Sequence, residues 1–103
     1  MLRDLHPAGN PNAERVIVGL RPRFKRCYDQ VRGNGPHIAG MVTCSMRITN
    51  DGKVASMSLT RRDRLPNPMV ECILKTLKSA VFAPLKEDEI VVVPVRFEVP
   101  EDD

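Results

Sequence analysis

Three cysteines, two histidines and scattered carboxylates are the residues of this 103-residue chain with chemical potential. Cys27, Cys44 and Cys72 form no C-x-x-C pair, and His6 and His37 complete no metal-ligand spacing with them. A zinc site takes four soft ligands in closely spaced pairs, so the pattern predicts no metal. A cysteine nucleophile needs a base held beside it, and no recognisable motif places either histidine in that role. Glu71 and Asp63 stand alone, Asp51 and Asp29 have turn and surface roles, and the acidic end Glu98 to Asp103 reads as solvated. The residues therefore predict no enzyme, no cofactor and no small-molecule substrate.

Positive charge is the other candidate chemistry. Arg21, Arg23, Lys25, Arg26 and Arg32 form one basic group and Arg61, Arg62 and Arg64 a second, within a net charge of +3. Single-stranded nucleic acid is gripped by basic grooves interleaved with exposed aromatics. Here the aromatics are only Phe24, Tyr28, Phe82 and Phe97. Nucleic-acid binding by the arginine clusters, in the cytoplasm, is thus the alternative reading; solvated faces, or contact with an acidic partner, come first. Gly33-Asn34-Gly35-Pro36 stops a helix and opens none, so it is no phosphate cradle.

These residues sit on a strongly patterned scaffold, a single domain with a small aliphatic core. Residues 1–11, broken by Pro7, Gly9 and Pro11, read as a flexible lead-in, 12–99 as the domain, and 100–103 as an acidic tail. Val16, Ile17, Leu20, Phe24, Cys27, Tyr28 and Val31 recur at helical spacing. Pro22 predicts a kink, or a short helix followed by a second one starting near it. Alternation over Gly40–Thr49 and again from Lys53 to about Thr60, around Asn50-Asp51-Gly52, predicts a hairpin with a tight primed turn. A slip of one between Val54 and Met57 predicts a bulge, and Arg61 to Arg64 a charged connection.

Asn67-Pro68 opens the next helix as cap and first residue. Ile90–Val99 is the last strand, with Val91, Val93, Val95, Phe97 and Val99 on one face. Proline in a strand belongs at an edge or a bulge, so Pro94 predicts an edge strand. The expected fold is α+β, order α-β-β-α-β: two helices on one face of a three-stranded antiparallel sheet. A right-handed crossover puts the first strand in the centre.

An exposed edge templates strand addition by a partner, which makes Val91, Val92, Val93, Val95, Arg96 and Phe97 the candidate partner-binding residues. The same features fit an edge built to resist aggregation, or one that pairs with a second copy as a homodimer. Cys27 and Cys72 lie at the margins of their helices' apolar arcs. The residues leave open whether they pair or remain two buried thiols; Cys44 reads as a buried core thiol. No run nears the ~18 apolar residues needed to span a bilayer. The chain is then either cytoplasmic as it stands or a domain of a longer, anchored protein.

One resemblance narrows these options. Arg21-Pro22-Arg23-Phe24-Lys25-Arg26-Cys27-Tyr28, Gly40-Met41-Val42, Ile48 through Val54, Val70-Glu71-Cys72-Ile73, Phe82-Ala83-Pro84 and Val93-Pro94-Val95-Arg96-Phe97 resemble the TonB C-terminal-like domains. The likeness is to the cysteine-bearing AgmX/PglI-type subgroup of myxobacterial gliding-motility proteins. It implies a disulfide between Cys27 and Cys72, with Cys44 outside the family's cysteine pattern. It further implies a periplasmic domain carried by an inner-membrane anchor upstream, with protein partners in envelope transport or motility.

Overall fold

The computed structural model describes residues 2–4 and 11–99. Along the chain run β1 (Leu2–Asp4), α1 (Pro11–Gly19), α2 (Arg21–Arg32), β2 (Gly40–Ile48), β3 (Val54–Asp63), α3 (Asn67–Lys78) and β4 (Glu89–Phe97). The sheet is antiparallel throughout, in the order β1-β4-β2-β3. The expected three-stranded sheet with its hairpin strand β2 in the centre is present. The added feature is β1, drawn from residues read as flexible lead-in, and Pro11 of the same stretch opens α1; the other lead-in residues, 1 and 5–10, and the tail, 100–103, lie outside the described residues.

Pro22 acts as expected. The helical run breaks between α1 and α2, and the proline falls in the first turn of α2, where its missing N–H removes no bond. The helix ends where Gly33, at φ 55°, donates its N–H to the Asp29 carbonyl at 2.8 Å.

Helical spacing then builds the core. α2 buries Phe24, Cys27 and Tyr28, and α3 buries Met69, Val70, Ile73, Thr76 and Leu77. They close over one face of the sheet, where Val42, Cys44, Met46 and Ile48 of β2 join Val91, Val93, Val95 and Phe97 of β4. Strand alternation sends Thr43, Ser45 and Arg47 to the other face.

The hairpin turn differs from expectation in type. Within it only Gly52 has positive φ, at 87°, whereas a primed two-residue turn of the Asn-Gly kind needs it at both central positions. The Gly52 N–H donates to the Thr49 carbonyl and the Thr49 N–H to that of Lys53, both at 2.9 Å. Glycine is required there twice over, since a Cβ at Gly52 would meet the Phe82 carbonyl oxygen at 2.0 Å. That carbonyl is close because the Phe82 N–H donates to the Gly52 carbonyl at 2.8 Å, stitching the turn to the segment after α3.

The expected bulge is present as a register shift opposite Arg47/Ile48. A second shift lies opposite Thr43/Cys44, where Thr60 Oγ1 donates to the Thr43 carbonyl at 3.1 Å. Arg61, Arg62 and Asp63, read as a connection, extend the strand instead. Asn67 is the first residue of α3 rather than its cap. Its Oδ1 accepts from Arg62 Nη2, which also donates to the Leu65 carbonyl at 2.9 Å.

Candidate protein-binding site

β4 is a strand of two faces. Val91, Val93, Val95 and Phe97 are buried, so these four candidate partner-binding side chains belong to the core rather than to the open face of the strand. Only Val92 and Arg96 of the six turn outward. Ile90, which the sequence reading left out, shares that open face, 58% exposed against 37% for Val92. Alternation alone separates the two sets, and it was already visible in the sequence; treating the strand as one patch blurred it.

The lateral rim of β4 is divided. Along its inner side β4 pairs with β2 over nine consecutive positions, Gly40↔Phe97 to Ile48↔Glu89, without a register shift. On the outer side β1 pairs at Leu2↔Phe97 and Asp4↔Arg96. The expectation of an edge strand is therefore corrected at this end: Arg96 and Phe97 lie between two strands. From Ile90 to Val95, no strand among the described residues pairs with the outer side.

β3 forms the opposite rim and is of another kind. It is exposed along most of its length, with Leu59 on the core-facing side still 41% exposed. Two bulges interrupt its pairing, and Arg61, Arg62, Asp63 and Arg64 charge its end. Bulges and charges are what natural edge strands use against unwanted pairing.

Behind β4, Cys27 of α2 and Cys72 of α3 are joined by a disulfide, with 5.7 Å between their Cα atoms. Thr76 Oγ1 lies 3.7 Å from Cys27 Sγ and donates to the Cys72 carbonyl at 2.9 Å. The bridge pins together the two helices that support β2 and β4. Cys44 is a free thiol sealed beneath them, its pKa pushed up to about 11 by desolvation. Burial of that kind makes a cysteine inert.

At the covered end of the rim, Tyr28 stacks on Phe97, with ring centroids 5.1 Å apart and planes at 18°. The Tyr28 hydroxyl accepts the Ile38 N–H at 3.0 Å and lies 3.1 Å from His37 Nδ1; Arg32 Nη2 stands 3.4 Å from His37 Nε2. A neutral imidazole protonated on Nδ1 satisfies both contacts, since Arg32 can only donate. The histidine thus orders a loop. Among the described residues, no group of three or more His, Cys, Asp or Glu could hold a metal ion, and no helix is long and apolar enough to cross a membrane.

The far end of β4 is held by charge. Arg47 Nη2 donates to Asp88 Oδ2 at 2.8 Å, and the Asn50 N–H to Asp88 Oδ1 at 3.0 Å. The Arg47 hydrogen bond and then the Asn50 N–H hold the Asp88 carboxyl below the usual carboxylate range. This clamp ties the loop before β4 to the hairpin turn.

No family model matches this chain, and no curated protein does. Among solved structures, the solution structure of the Helicobacter pylori TonB C-terminal domain (residues 179–285) aligns over 86% of this chain and 85% of its own, with a TM-score of 0.51 and 18% identity. The fold is shared with a TonB C-terminal domain. At that identity the likeness is one of architecture, α-β-β-α-β, and it agrees with the fold that the sequence motifs implied. Within this TonB-type fold the strand Glu89–Phe97 lies next to the central strand, and its stretch Ile90–Val95, which pairs with no strand on its outer side among the described residues, is the candidate site.

Proposed function

We propose that this is a protein-binding module of the cell envelope that takes an extended segment of a partner as an added strand along Ile90–Val95. The observation that carries the reading is the contrast on β4 itself. Its core-facing valines anchor the strand rigidly, while the outer rim over those residues has no paired strand among the described residues. Main-chain groups on such a rim supply affinity, and outward side chains such as Ile90 and Val92 supply selectivity. Pro94 has no N–H to give, so Ile90–Val93 is the stretch best suited to pairing.

The disulfide between Cys27 and Cys72 supports a periplasmic location, since such bridges persist in oxidising compartments. The TonB-type fold and the cysteine pair together support the terminal module of an inner-membrane-anchored transport or motility system, of the AgmX/PglI kind. A protein partner, in this reading, replaces any nucleic acid: Arg62 is engaged with the start of α3, and Arg32 with His37.

Photo-crosslinking tests the reading. A crosslinking residue at position 92, in cells producing the anchored protein, should trap one envelope protein, and the same residue at Ser58 on β3 should not. Equal trapping from both rims, or none from position 92, would overturn it.

A further inference from the structure

The rim of β4 is covered at one end by the chain's own residues, and beside that cover is a cavity. Leu2 is buried, pairs with Phe97, and lines a space of about 190 Å³ whose other walls are Lys25, Tyr28, Asp29, Arg32, His37 and Phe97. The Tyr28–Phe97 stack gives an aromatic wall. Leucine leaves the space beside it empty, so the pocket is larger than the side chain seated in it.

We infer that Leu2–Asp4 stands in for the partner: the C-terminal end of the rim is a side-chain pocket selecting an aromatic residue of the incoming strand, and β1 must leave for it to enter. This deepens the strand-addition reading and rests on it. Three features of the structure converge. A three-residue strand with a register irregularity is a short, weakly held cover. An aromatic side chain buries more apolar area than leucine and stacks on Tyr28 and Phe97. The charged walls mix Lys25 and Arg32 with Asp29, so the aromatic surface rather than net charge sets the preference.

The test uses the whole chain and two synthetic peptides: residues 1–6 as they stand, and the same peptide with Leu2→Phe. Leu2→Asp in the protein releases the cover; Leu2→Ser is the milder version should the first fail to give a dispersed amide spectrum. Binding is followed by titration and by amide shifts. The Leu2→Phe peptide should bind the uncovered chain roughly tenfold more tightly than the unaltered peptide. The wild-type chain should bind either roughly tenfold more weakly than the uncovered one. Shifts should centre on Tyr28, His37, Arg96 and Phe97. Equal affinity of the two peptides, equal affinity of covered and uncovered chains, or shifts centred elsewhere would overturn the proposal. The crosslink at position 92 separates this from the broader reading: if it persists while the peptides fail, only the pocket is wrong, and if it is lost, strand addition falls too.

Discussion

The two rims of this sheet are built from strands of similar length and have opposite support. β4 is pinned on its inner face by four buried side chains and paired in unbroken register with β2. β3 is twice bulged and charged at its end, with Val54 and Met57 only partly buried against the core and no fully buried residue along it. A free rim is useful for binding only if the strand behind it is held straight, because a partner that must first straighten its template loses affinity to that ordering. The difference teaches that exposure by itself is a poor guide to a docking edge. The more exposed strand is the one protected against pairing, and the more buried one carries the usable rim.

The largest expected effect comes from removing what supports β4. Cys27→Ala with Cys72→Ala frees a loop spanning a sequence separation of 45, which should cost about 4 kcal/mol on the chain-entropy account. A fall in denaturation midpoint matching that of reductant-treated wild type would check it, and a negligible shift would show that helix packing alone holds the rim.

Next comes the inner face. Val93→Ala opens a hole in a filled core and should cost about 2 kcal/mol, whereas Leu59→Ala on β3 should cost under about 1 kcal/mol. Urea unfolding of the two variants side by side measures the contrast; similar costs would erase the distinction between the strands.

On the rims themselves, Val92→Pro should weaken partner binding roughly tenfold through lost main-chain bonds, and Ser58→Pro should leave it unchanged. Binding measured against the crosslinked partner decides which rim is used.

The smallest effect is acidic. Asp88 has its pKa lowered in the folded chain, so its stabilising contribution is present above the ordinary carboxylate value and fades as pH falls through the lowered one. Below about pH 4, wild type should therefore lose its small advantage over Asp88→Ala; thermal unfolding between pH 5 and 2 follows it, and curves that stay parallel would remove Asp88 from the clamp.

Much of this was legible in the residues. Alternation over Gly40–Ile48 and Glu89–Phe97, the helical spacing from Phe24 to Tyr28 and from Met69 to Leu77, Pro22 and Gly52 each act through local geometry, which a sequence displays directly. The slip between Val54 and Met57 announced the first bulge. Other features were hidden. Residues 2–4 have no pattern long enough to declare a strand, and they become one because Phe97 offers paired backbone and Tyr28 a wall for Leu2. The hairpin turn has positive φ at Gly52 alone, where a two-residue turn of the Asn-Gly kind needs it at both central positions, and it closes by bonds from Thr49 to Gly52 and Lys53.

By itself, then, the sequence determined the elements from α1 to β4, their order, which side of β2 and β4 enters the core, and the central place of Gly40–Ile48. These follow from periodicity, turn chemistry and chain handedness, all of which act over a few residues or a single crossover. The Cys27–Cys72 bridge that the resemblance implied is present, but only tertiary structure decided that β3 keeps no fully buried residue and that the end of β4 is covered by Leu2–Asp4. Each of those depends on which surfaces remain unfilled once the helices have packed, and that is a property of the assembled volume rather than of any local run of residues.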